Sequence, residues 1–112
     1  MSYTVYEGSA VKFYTSTPFT SISGTVVNPD VVTFTWGVQG QTPTTYTWTN
    51  PTGDPTAHII NDSTGNFHVT LPTTGFAGTW RYRWYGYPSG GTDVTATEVA
   101  FEGEVEVSAS SF

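Results

Sequence analysis

Residues 78–86 read G-T-W-R-Y-R-W-Y-G and hold two of the three basic side chains in the 112-residue chain. Large aromatics alternate with the arginines, which is the period of a strand and not the three-and-four spacing of a helix. In an extended chain Trp80, Tyr82 and Trp84 share one face, and Arg81, Arg83 and Tyr85 share the other. The last run, E-V-A-F-E-G-E-V-E-V over residues 98–107, alternates in the same way. Val99, Phe101, Gly103, Val105 and Val107 fall on one face, and Glu98, Ala100, Glu102, Glu104 and Glu106 on the other. The two runs follow each other through a short glycine-rich stretch, so antiparallel pairing is expected, with aromatics and valines turned inward. Outward arginines then face outward glutamates in cross-strand pairs, each worth about 0.2–1 kcal/mol. Most of the stretch is therefore architecture, and it leaves no free basic patch.

The same period runs through the rest of the chain. Strands are expected at Ala10–Tyr14, around Val32–Trp36, around Thr45–Thr49, at Ala57–Asn61, Asn66–Leu71, Trp80–Tyr85 and Thr95–Val107, with a short one around Ser21–Val27. Turn signals such as N-P-D, N-P-T-G-D-P and D-S-T-G separate them. No window shows helical spacing. The fold class read from this pattern is all-β, an immunoglobulin-like antiparallel β-sandwich of about seven strands. The core is assigned to Phe34, Trp36, Trp48, Phe67, Trp80, Tyr82, Trp84 and Phe101. The sandwich is placed at residues 10–107, after an extended N-terminal arm or first strand at 1–9 and before a tail at 108–112.

Composition bounds the chemistry. Charged residues make up 11% of the chain, against roughly a quarter in an average domain. Aromatics reach 16%, and the formal charge is −6. Nucleic-acid binding, which rests on lysine and arginine neutralising phosphates, is excluded on this reading. There is no cysteine, hence no disulfide, thiolate metal site or thiol nucleophile. The opening M-S-Y-T-V-Y-E-G-S-A-V-K-F has no basic stretch followed by an apolar one, so no secretory signal is read there. No apolar run approaches the ~20 residues of a membrane span. The carboxylates form no acid–base pair by spacing. His58 and His68 flank the D-S-T-G turn and are expected to form a solvated cross-strand pair without a third metal ligand. Asp54 and Asp62 lie in turns, where aspartate caps backbone amides. Asn61 opens an N-D-S glycosylation acceptor, which has meaning only in a secreted chain. No catalytic, cofactor or metal-binding residue is assigned, no cofactor is expected, and the protein is read as a non-enzyme.

Two binding roles remain. A sugar-stacking platform would need outward tryptophans, but the alternation turns all four inward and leaves Tyr85, Tyr87 and Phe76 as surface or loop aromatics. The other role is a structural module that contacts a protein assembly. For it the candidate partner-binding residues are Tyr3, Val5 and Tyr6 in the arm, Tyr87 in the following loop, and Glu102 and Glu104 in the acidic stripe. An arm of this kind adds a strand to a neighbour or lies along its surface. Its deletion over residues 1–8 is expected to leave melting intact and weaken attachment.

The order V-V-N-P-D-V-V-T-F-T-W (26–36), D-S-T-G-N-F-H-V-T-L-P-T-T-G-F-A-G-T-W-R-Y-R-W-Y-G (62–86) and E-V-A-F-E-G-E-V-E-V (98–107) resembles small immunoglobulin-like virion proteins of tailed bacteriophages, especially those infecting actinobacteria. The likeness rests on Pro29–Asp30, Ser63–Gly65, Gly78–Trp84 and Glu98–Val107 and carries over no catalytic residue. It implies a head decoration or accessory subunit, with the major capsid protein or another virion protein as partner and symmetric copies following the lattice. The alternatives it leaves open are a head–tail junction or tail component and a carbohydrate-binding or host-adhesion domain on the virion. The implied location is the virion, after synthesis in the host cytoplasm.

Overall fold

The computed structural model describes residues 2–15, 17–20, 25–50, 52–87 and 99–109; side chains are described for all of these except 2, 3, 87 and 99–101. Among the described residues, eight strands appear in chain order: β1 (Ser2–Tyr6), β2 (Ala10–Tyr14), β3 (Val31–Val38), β4 (Thr44–Thr49), β5 (Ile59–Ser63), β6 (Asn66–Pro72), β7 (Gly78–Tyr87) and β8 (Val99–Ser108). They form a five-stranded sheet in the order β1-β8-β7-β3-β4 and a three-stranded sheet in the order β2-β6-β5. The expected run from Thr95 begins, as far as it is described, at Val99; residues 95–98 and 21–24 lie outside the described residues.

Register follows the alternation of side chains. β7 and β8 are antiparallel, with Trp80 opposite Val105, Tyr82 opposite Gly103 and Trp84 opposite Phe101. β3 pairs with β7 so that Phe34 meets Trp84 and Trp36 meets Tyr82. These inner faces meet Phe67, Val69 and Leu71 of β6 and Val11 and Phe13 of β2 in one core. Gly103 is needed beneath Tyr82, because a Cβ there would run into the phenol ring. An aromatic laid over a strand glycine restores the area the glycine lacks.

Many immunoglobulin domains tie their sheets together with a disulfide, and this cysteine-free chain uses aromatic packing at that level. The Phe13 ring of the smaller sheet lies 4.9 Å from Tyr82, 5.5 Å from Phe34 and 6.1 Å from Trp80 of the larger one. A second inter-sheet contact joins Trp48 and Phe67 at 4.9 Å. Trp80 and Trp84 are 1% and 0% exposed, and each such ring buries on the order of 150–250 Å². Trp36 and Tyr82 are partly buried and pack against the core from its margin. Among the described residues, the buried indole N–H groups of Trp36 and Trp84 have no acceptor.

The N-terminal residues are a strand of the sandwich. β1 pairs in parallel with β8, Tyr3 opposite Val105 and Val5 opposite Val107. The chain then changes sheets through Glu7, Gly8 and Ser9, with Gly8 at φ +101°. Thr73, fully buried, anchors this crossing: its hydroxyl accepts from the Gly8 amide at 2.9 Å and donates to the Ser9 carbonyl at 2.7 Å. Glu7 accepts from the Gly75 amide at 2.6 Å. Deleting residues 1–8 would remove a paired strand and the Gly8 amide that Thr73 holds, so lower stability is expected in place of unchanged melting. Two sheets with the first strand crossing to join the last make an immunoglobulin-like sandwich. Ser108 belongs to β8, paired with Tyr6, so the tail begins after it.

Candidate functional site

The side chains that the alternation turns outward collect on the solvent face of the five-stranded sheet. Arg81 Nε lies 3.3 Å from Glu104 Oε1, and Arg83 Nε lies 3.6 Å from Glu102 Oε2. Each pair sits directly opposite in the β7–β8 register. The Thr79 hydroxyl donates to the Glu106 carboxylate one step further along. The Arg83 guanidinium also stands over the Tyr85 ring, 5.3 Å from its centroid. All four ion-pair side chains are about half exposed or more, so water screens them and their contribution to stability is small. On the other half of the face, Thr33 and Thr35 of β3 lie opposite Thr47 and Thr45 of β4, and the Thr35 and Thr45 hydroxyls are 2.9 Å apart.

An open depression of about 720 Å³ lies at this face, with Thr35, Gln39, Gln41, Arg81, Arg83 and Glu104 on its lining. Gln39 and Gln41 come from the turn between β3 and β4, held by the Gln41 amide donating to the Val38 carbonyl at 2.9 Å. Strands whose inner faces are locked in the core hold these polar groups in fixed positions, which lowers the ordering entropy of any contact they make.

The partner-binding candidates are spread over this sheet. Glu102 and Glu104 lie in the charged ladder. Tyr6 is 72% exposed at the end of β1. Val5 packs against the core, so it is withdrawn from any partner: its place opposite Val107 turns it inward. The side chains of Tyr3 and Tyr87, and the core candidate Phe101, lie outside the described residues, as does Glu98. Phe76 is partly exposed, but its ring meets Trp36 and Trp80 edge-on and its carbonyl accepts from Trp80 Nε1 at 2.6 Å.

The histidines do not pair with each other. His68 stands opposite Ile60, and its Nδ1 lies 2.7 Å from the Asp62 carboxylate. Asp62 thus bonds a side chain and not the expected backbone amide. His58 precedes β5 and stacks on Tyr46, centroids 3.9 Å apart and planes at 6°. The physical reason for this correction is register: the turn places Ile60 opposite His68, and His58 lies just before the first residue of β5. Asp54 does cap its turn, accepting from the amides of Thr56, His58 and Ile59 at 2.8–3.0 Å. The Thr56 hydroxyl donates to the same carboxylate at 2.7 Å, so His58 Nδ1, 2.7 Å from that oxygen, acts as its donor. Burial pushes the Asp54 carboxyl up, but these hydrogen bonds together outweigh it and hold it below the ordinary carboxylate value of 3.8. Burial alone pushes the Tyr82 phenol up.

Among the described residues, no group of three or more His, Asp or Glu stands together to hold a metal ion, and no helix is long and apolar enough to cross a membrane. The depression and the glutamines at its rim went unread in the sequence. Its trace there is the outward arginines and glutamates of β7 and β8, which alternation displays without saying that β3 lies beside β7.

No family model matches the chain, and no curated protein matches it in sequence. Among solved structures, the extracellular portion of mouse CD200RLa is similar, with a TM-score of 0.51 and 11% identity over 97% of this chain and 54% of that one. The chain spans about half the length of that structure. What the likeness establishes is the fold: an all-β, immunoglobulin-like sandwich.

Proposed function

We propose that this domain is a non-enzymatic virion protein, a capsid decoration or accessory subunit that binds the phage head surface by protein–protein contacts. The contact surface is the outer face of the five-stranded sheet. The observation that carries this reading is the ladder of Arg81–Glu104 and Arg83–Glu102, which lines the depression together with Gln39 and Gln41. It is a polar surface preset on rigid strands, suited to a partner of complementary polarity. The alternating charges fix orientation more than they add affinity. The chain's net charge of −6 favours a basic partner surface. The sequence resemblance to phage virion proteins supports the choice of partner.

The test is sedimentation of the purified protein with capsids that lack it, alongside a panel of polysaccharides. Neutralisation of both Glu102 and Glu104, each to Gln, is expected to change melting little, because exposed pairs contribute at most about 1 kcal/mol each. The same variant is expected to lose capsid binding. Binding to polysaccharide alone, or unchanged capsid binding by the folded variant, overturns the reading.

A further inference from the structure

The hydrogen-bond parity of β3 shows which backbone groups of β4 face outward. The Gln39 amide donates to the Thr79 carbonyl, and the Asn50 amide donates to the Asp30 carbonyl, both at 2.9 Å. With Gln39 and Thr79 continuing the β3–β7 register and Asp30 and Asn50 continuing the β3–β4 register, odd residues of β3 bond to β7 and even ones to β4. In β4 the residues turned toward β3 are then Thr44, Tyr46 and Trp48. Thr45, Thr47 and Thr49 direct their N–H and C=O groups away from the sheet. Thr49 is already closed, since its amide and carbonyl both bond to Gly53, at 3.1 and 2.6 Å. At the other end Pro43 has no N–H to offer. Thr45 and Thr47, both exposed, remain as a two-residue window of open donors and acceptors among the described residues.

The other edges are guarded. β2 carries Lys12, and β5 has its bulge and Asp62, both recognised ways of blunting an edge. At β1 the neighbouring strand presents Glu104 and Glu106 beside Ser2 and Thr4, so two copies of an acidic chain meeting there would bring carboxylate rows together. β4 reads T-T-Y-T-W-T, without charge or proline, and its neighbour β3 is also uncharged. It is the described edge on which two copies approach without like charges.

We infer that two copies of this chain associate through β4, antiparallel about a two-fold axis at Tyr46, joining their five-stranded sheets into one. In that register Thr45 of each copy faces Thr47 of the other, and the pairs exchange four backbone hydrogen bonds. A register centred on Thr45 brings in Pro43, which can accept but not donate, and one centred on Thr47 brings in the closed Thr49. Because the contact is isologous and consumes the open window on both copies, it closes at a dimer and does not propagate. The charged face stays uncovered.

Sedimentation equilibrium of the full chain over a wide concentration range reads the association, and hydrogen exchange locates it. A reversible dimer is expected, with the Thr45 and Thr47 amides protected only at high concentration. Thr47→Pro removes a donor that makes no bond within one copy, so it is expected to fold and to weaken association about tenfold or more, from two lost hydrogen bonds per dimer. A chain that stays monomeric throughout, or one whose concentration-dependent protection falls on Ser2–Tyr6 instead, overturns the inference. So does a folded Thr47→Pro variant that associates as well as the original. If that variant does not fold, exchange on the unaltered chain decides.

Discussion

A single carboxylate, Asp54, organises the connection between the two sheets after β4. It gathers three backbone amides and one hydroxyl that would otherwise need water. Asp54→Ala is expected to cost about 1–2 kcal/mol, the scale of a lost cap. The pH dependence has a definite sign. The folded-state pKa lies below the ordinary 3.8, so the stabilisation is fully present above 3.8 and is lost as pH falls through the lower, folded value. Urea melts of both proteins should therefore differ at neutral pH and converge in strong acid. A gap that persists there would mean that the alanine acts through something other than the charge. The same residue-level detail explains Gly65: at φ +79° an added Cβ would sit 2.8 Å from Val26 and 2.9 Å from the Phe19 carbonyl. The turn that the D-S-T-G signal marks thus also seats the chain between β2 and β3.

At the scale of an element, β1 decides how the N-terminus is understood. An apolar S-Y-T-V-Y segment reads equally well as a free arm or a strand. Pairing with β8 settles it, because Val5 finds the inner face opposite Val107. Removing residues 1–6 should therefore lower stability by about 2 kcal/mol, from one half-buried valine and the ladder bonds, which is roughly 10 °C in Tm for a domain of this size. A thermal melt checks this; unchanged melting would mean that the strand is dispensable to the fold. The β7–β8 pair carries the opposite lesson. Its outward ion pairs shape a surface and contribute little to folding, while its inward rings carry the energy.

Across the whole molecule, stability rests on aromatic contact between two sheets with no covalent tie. Phe13 meets three aromatics of the opposing sheet, Phe34, Trp80 and Tyr82, and Phe13→Ala is expected to cost about 3–5 kcal/mol. Chemical denaturation, with near-ultraviolet circular dichroism to follow the tryptophans, measures it. A cost below about 1 kcal/mol would show that the neighbouring rings close the gap and that the sheets are held elsewhere.

Alternation by itself determined which side chains go inward, because a strand has only two faces: Phe34, Trp48, Phe67, Trp80 and Trp84 follow directly from it, as does the meeting of arginines with glutamates. It also determined the turn chemistry at Asp54 and Gly65, where local sequence and local geometry coincide. The order of strands in the sheets was decided by the tertiary structure, because period two says nothing about which strand lies beside which. The parallel seat of β1, the partners of His58 and His68, the depression between β3 and β7, and the open backbone window at β4 all depend on that order. Each is a contact between residues distant in the chain, and its register is set by the packing of the shared core.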